Sequence, residues 1–409
     1  MLRLTIAIMA TALSLPALAG EGADITLRHL DAGTAEAGIA ELGDRSDAES
    51  RFGKGMLQFT SAIEHLGQGL YRYGFAPNWG ANVRSQMLIP VPVNPSPEPL
   101  DYGKLRALFE ALVTEMDVAQ KTLREAGVAG DYVVPLDVMK VALDLDSDGV
   151  SAPGENIGAV MGAAMGAGSR AAEMQSLTFG LDRADAIWLA GYANIVAMQA
   201  DFLLAHDFHE LFEATFHRLF PSAGLPLAAH IKGQRPAKAG YELFDSDTEI
   251  AILDLVAAIH TIDWPVVEPD RLRRVRERLL TLTALSRQNW AAIMAETDND
   301  RELLPNSSQQ AVVGRATVTA EQIEAWQSTL DTVDQILDGK LLLPHWRFDK
   351  GFDVRTYFET ATQTDLVMLV TGYDALPFIK DGPIANEDSF RALNLAFGGN
   401  WPGYALWFN

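Results

Sequence analysis

SDAESRFGKGMLQFTSAIEHLGQGLYRYG, residues 46–74, decides the fold class. Phe52, Met56, Phe59, Ile63, Leu66, Leu70 and Tyr73 recur at steps of three and four, which puts them on one stripe of an α-helix. Gly55 and Gly67 flank the stripe, and each costs a helix about 1 kcal/mol relative to alanine. The compensation expected for that cost is close approach of a neighbouring helix. Gly74 ends the pattern.

The same period recurs on both sides. Asp101 caps a predicted helix to about Ala126, with Leu105, Leu108, Phe109, Leu112, Met116 and Leu123 inward. Asp182 and Asp185 open another over 182–206, lined by Trp188, Leu189, Tyr192, Ile195, Val196, Phe202 and Leu203, and a further helix runs on to Phe220 before Pro221. Ser246 and Glu249 form a capping box ahead of Ile250, Leu253, Val256 and Ile259, read as buried. Pro269 starts a helix of about 269–296 with Leu272, Val275, Leu279, Leu282, Leu285, Trp290 and Ile293 inward. Thr319 and Gln322 cap one holding Ile323, Trp326, Leu330, Val333 and Leu337, which stops at Gly339. Residues 20–45 show little periodicity and read as extended chain or a short helix. Residues 75–100 carry six prolines and read as a long packed-down loop. After Lys340, Leu341–Leu343 and Leu366–Val370 read as strands or short helices, and the aromatic tail Trp401–Asn409 as docked into the core. The fold class expected is mainly α: a multi-helix globular array with long loops and a few short strands near the C-terminus.

The chain has 409 residues, 48% of them apolar, and no cysteine. That length buries a large core in one or two packed domains. Residues 1–19 read as a signal peptide: Arg3, an apolar run from Leu4 to Leu15, and Ala17-Leu18-Ala19 before Gly20. An exported chain without cysteine points to a periplasmic or extracellular address and to stability without disulfides. No later segment reads as long and apolar enough to span a membrane. Residues 20–220 read as an N-terminal helical region, 221–245 as a linker or surface loop, and 246–409 as a C-terminal helical region. The net charge of −22 disfavours nucleic acid and anionic lipid as partners, leaving a protein or small-molecule partner of unidentified type. Arg271, Arg273, Arg274, Arg276 and Arg278 alternate with Glu268, Asp270 and Glu277 and read as a solvated helix face.

One stretch states a chemistry by spacing. In Asp144-Leu145-Asp146-Ser147-Asp148-Gly149-Val150-Ser151-Ala152-Pro153-Gly154-Glu155, three carboxylates fall at alternate residues, a glycine follows, and a fourth carboxylate comes six residues later. Calcium takes six to eight oxygens at roughly 2.3–2.6 Å. Asp144, Asp146 and Asp148 can turn to one point, Gly149 can take the positive φ of a sharp bend, the carbonyl of Val150 can add a ligand, and Glu155 can close the site. These twelve residues resemble the EF-hand calcium loop. The resemblance implies bound Ca²⁺ with Asp144, Asp146, Asp148, Val150 and Glu155 as ligands. Ser151, Pro153-Gly154 and Asn156 depart from the helix–loop–helix pattern, so a lone loop embedded in a larger fold is expected, its ion mainly structural. Asp298-Asn299-Asp300 echoes the loop without its glycine. Glu296-Thr297-Asp298 with Pro305-Asn306, and the endings Gly398-Gly399-Asn400 and Trp407-Phe408-Asn409, look like those of uncharacterised bacterial secreted proteins, a resemblance that implies no activity.

A second pattern competes. His206, His209, Glu210, Glu213 and His217 fall within roughly 100° of arc on a continuous helix; with a partner from elsewhere they could hold a transition metal for hydrolysis. The alternative is the wet face of an amphipathic helix, with Asp207 starting a new helix. His65, His230, His260 and His345 read as structural, and Asp298/Asp300/Glu302 as an exposed acidic loop. P-loop, dinucleotide and nucleophile-elbow motifs are absent from the sequence. The expectation is a secreted calcium-binding protein with a binding or structural role in the cell envelope; the alternative is a metal-dependent hydrolase.

Overall fold

The 46–74 stripe folds as expected, into one long helix over Ala48–Arg72. The computed structural model describes residues 20–76, 91–152, 154–158, 176–228, 230, 248–299, 301–312 and 318–396. The expected leader, residues 77–90 of the proline-rich loop, most of the 221–245 linker with Ser246, residue Asp300 and the aromatic tail lie outside these.

Helices α1 (Glu21–Ala32), α2 (Ala35–Leu42), α3 (Ala48–Arg72) and α4 (Tyr102–Ala126) come first. Asp47 and Asp101 cap α3 and α4, each accepting from a main-chain N–H three residues on. After β1 (Val134–Asp137) and β2 (Thr178–Leu181) come α5 (Arg183–Ala205), α6 (His209–Thr215), α7 (Thr248–His260), β3 (Asp263–Pro265) and α8 (Pro269–Ile293). The chain ends with α9 (Ala320–Leu337), β4 (Gly351–Phe352), α10 (Val354–Thr360), β5 (Gln363–Asp365), α11 (Leu366–Thr371), β6 (Ile379–Lys380) and α12 (Arg391–Ala396). The strands form three antiparallel pairs, β1 with β2, β3 with β5 and β4 with β6. The fold is mainly α.

Long helices stack in sequence: α3 on α4, α4 on α5, α5 on α8, with α9 and α10 against α8 and with α1 and α2 against α3. Residues 20–45, without strong periodicity, are two helices. Part of the reason is tertiary: Glu49 on α3 accepts the N–H groups of Gly20 and Ala23 and so caps α1 from a different helix.

Three burial readings are corrected. Helix α5 buries its small face, Ala186, Ala190, Gly191, Ala193, Ala197 and Ala200, while Trp188, Tyr192, Ile195 and Phe202 lie half-buried at its flanks. It runs between α4 and α8, and only short side chains let three helices approach that closely. Helix α7 exposes Leu253, Val256 and Ile259 and buries Asp254. The cause is an ion pair: Asp254 accepts from Arg218 Nε and lies 3.3 Å from His217 Nε2. On α8, Arg278 and Arg271 are not solvated. They converge on Asp201 of α5, which is wholly buried.

Among the described residues one helix, α5, is long and apolar enough to cross a membrane, contrary to the expectation of none. Its packing between α4 and α8 accounts for that apolarity in the fold.

Candidate metal centre

Val138 and Val141 favour extended chain, and only one helical turn forms before the acidic loop, over Val138–Lys140. The flanks of the loop instead pair with each other: Leu143 N–H donates to Glu155 O at 2.7 Å and Ile157 N–H to Val141 O at 3.0 Å. Ala142 N–H donates to Leu30 O at the end of α1. The loop therefore grows from a short ribbon, consistent with its departures from the helix–loop–helix pattern.

Inside the loop each aspartate turns the chain. Gly149 N–H donates to Asp144 Oδ2 at 3.2 Å, Asp148 N–H to Asp146 Oδ1 at 3.1 Å, and Val150 N–H to Asp148 Oδ1 at 2.8 Å. Gly149 sits at φ +81°, a conformation that side-chain-bearing residues rarely adopt. These turns gather the carboxylates: oxygens of Asp144, Asp146 and Asp148 lie within 4.8 Å of one another. Asp144 Oδ1 is buried and has no hydrogen-bond partner.

Glu155 is 1% exposed and braces the loop rather than joining that trio. Its Oε1 accepts Leu145 N–H at 3.1 Å and its Oε2 accepts Ala152 N–H at 2.9 Å. Burial raises its pKa, and the charges of Asp146 and Asp144 add to the rise. Val150 leaves its side chain in solvent.

Sequence reasoning missed the support from α3. Glu64 accepts Asp144 N–H, Gln68 donates to Asp144 O, and Leu145 packs against Gly67. Gly67 thus makes room for the loop, not for the helix expected there; Gly55 does approach α4, at Leu123. Gly67 beside Gln68 was the one legible signal, because a bare patch next to a long amide suits a docked main chain. Burial pushes the Glu64 carboxyl up to about 7.

No protein-family model matches the chain, and neither curated proteins nor solved structures give a match.

A second acidic group forms where α5 starts. Carboxylate oxygens of Glu296, Asp298 and Glu302 lie within 4.8 Å of one another. Asp182 and Asp185, which cap α5 as a reciprocal box, add their charge to this group. Burial and these neighbours raise the Glu296 carboxyl to about 9, and raise Asp182 and Asp185 as well. The loop bearing Glu302, read as exposed, buries that residue to 7% exposure.

The histidine stripe is divided. Helix α5 stops at Ala205, Asp207 Oδ1 accepts His209 N–H, and α6 starts anew at His209. His206 is fully buried, its ring between Phe202 O and Thr364 Oγ1, both at 2.7 Å. His217 is buried against Asp254, while His209 and Glu213 form an exposed pair at 3.4 Å. Burial lowers the pKa of His206 and of His217. Among the described residues, no group of three ligand atoms within 4.8 Å includes these histidines.

Proposed function

We propose that residues 144–155 hold a calcium ion, and that this ion locks the loop to the helical body of a secreted protein with a binding or structural role in the cell envelope. The observation that carries the reading is Asp144: its Oδ1 is buried with no hydrogen-bond partner, and its carboxylate lies within 4.8 Å of those of Asp146 and Asp148. An unsatisfied buried oxygen costs about 1–3 kcal/mol, and more when charged. A cation at the common point satisfies it and relieves the repulsion among the aspartates.

The donors favour a hard ion. The atoms gathered at the loop among the described residues are carboxylate oxygens, and a twelve-residue loop suits the variable geometry of calcium better than the rigid octahedron of magnesium. The loop is braced by Glu155 and seated on α3, so the energy of binding is transmitted to the bundle. At 100 times Kd a bound ion adds about 2.7 kcal/mol to stability.

The test is metal analysis of the purified chain lacking residues 1–19, joined to thermal melting in calcium and in chelator. One equivalent of calcium and a higher midpoint with calcium are expected. A chain that takes up no calcium and melts identically in both conditions rules the reading out.

A further inference from the structure

We infer that Glu64 is a positioning residue of the metal loop: an outer carboxylate, built into α3, that fixes Asp144 and adds negative potential where the cation binds. The inference rests on the calcium reading of the loop.

Three residues on one face of α3 grip the loop at its start. Glu64 Oε1 accepts Asp144 N–H at 3.0 Å, and Gln68, one turn later, donates Nε2 to Asp144 O at 2.8 Å. Both main-chain groups of the first candidate ligand are thus held by one helix. Between them, Leu145 is wholly buried with its Cδ2 against Gly67. The main chain of Asp144 is thus fixed from outside the loop, while Gly149 N–H holds its Oδ2 from within.

Position alone does not explain a carboxylate here. Glu64 is only 6% exposed, and among the described residues no lysine or arginine pairs with it. The charged groups around it are Asp144, His65 and Glu36, and His65 is itself held between Glu36 and Glu115. A buried carboxylate whose cationic neighbour among the described residues is a histidine shared with two other carboxylates is costly. A divalent ion in the adjoining loop is the missing counter-charge. Outer groups of this kind orient metal ligands, and their removal typically weakens binding 10–100-fold.

The test uses Glu64→Gln in the full mature chain. The amide oxygen still accepts Asp144 N–H, so the grip survives and only the charge is lost. Calcium affinity is measured by chelator competition well below the melting range, beside melting in excess chelator. The expected result is a split: melting in chelator unchanged or higher, and affinity for calcium weaker by about tenfold. A purely structural residue would not give that split. Gln68→Ala, which removes a grip but no charge, should weaken affinity less. Unchanged calcium affinity in the Glu64→Gln chain, beside a wild type that binds one equivalent, overturns this inference and leaves the calcium reading standing. A wild type that binds no calcium overturns both.

Discussion

Arg278 on α8 donates Nε to Asp201 Oδ2 on α5 at 2.8 Å, with both side chains buried. Arg271 Nη1 reaches the other oxygen of Asp201 at 3.0 Å, and Arg278 forks onto Asp117 of α4 at 2.7 and 3.0 Å. Asp201 therefore joins α5 to α8, and Arg278 carries the network on to α4. Removing Asp201 leaves the buried Nε of Arg278 without its acceptor, although Asp117 still holds the guanidinium fork. Asp201→Ala should lose about 1–3 kcal/mol of unfolding free energy, read from equilibrium urea denaturation in excess calcium. A loss below about 1 kcal/mol, the range of exposed ion pairs, would show that the network does not hold the stack.

Gly67→Ala sets two effects of opposite sign against each other. Alanine in mid-helix gains about 1 kcal/mol from propensity. The added Cβ would stand 2.5 Å from Leu145 Cδ2, and overpacking of that kind costs about 1–3 kcal/mol. Leu145 is held by loop and helix together, so the clash should win. The variant should melt lower and bind calcium more weakly than wild type. A higher melting point would mean that the seam gives way freely.

These contacts mark the limit of what the residue order makes legible. The long helices were legible because their periods and caps are local: Asp101, Asp182 and Thr319 all cap where their spacing says. The acidic loop was legible for the same reason, since its turns join residues two and five apart. What stayed hidden comes from distant segments. Glu64 lies 80 residues from the N–H it holds, and Glu49 caps a helix 29 residues before it. The buried side of α5 was misread because large apolar residues suggest the core, whereas a central helix is chosen for its small face. Asp254 likewise reversed α7, because an ion pair with Arg218 outweighs the pull of three aliphatic side chains.

The acidic group at the start of α5 gives stability a definite slope with pH. The Glu296 carboxyl is raised to about 9, first by burial and then by Asp182, with Glu302 and Asp185 adding. A carboxyl with a folded pKa above its unfolded value, near 4.5, ties a proton to the folded state. Its contribution is therefore fully present below about 4.5 and is lost as pH rises toward about 9. Buried His206 and His217 act in the opposite sense: their lowered pKa values cost stability as pH falls below their unfolded value of about 6.5. Glu296→Gln removes only the alkaline arm. The melting point of that variant minus wild type should become steadily more positive from pH 5 to pH 9. A difference that stays flat would mean that Glu296 is ionised throughout.

Within the loop, Glu155 and Asp148 separate frame from charge. Both oxygens of Glu155 accept main-chain N–H groups, from Leu145 and Ala152. In Glu155→Gln an amide NH₂ must face one of those donors, so one buried N–H loses its acceptor, at about 1–3 kcal/mol. That loss requires no ion and should be seen in excess chelator. Asp148 is exposed, and only its Oδ1 serves the loop, by accepting Val150 N–H. Asp148→Asn keeps an oxygen for that bond and removes a charge from the trio. It should melt like wild type in chelator and bind calcium at least tenfold more weakly. If both variants melt lower in chelator and bind calcium as wild type does, the loop is a structural turn and its carboxylates do not serve an ion.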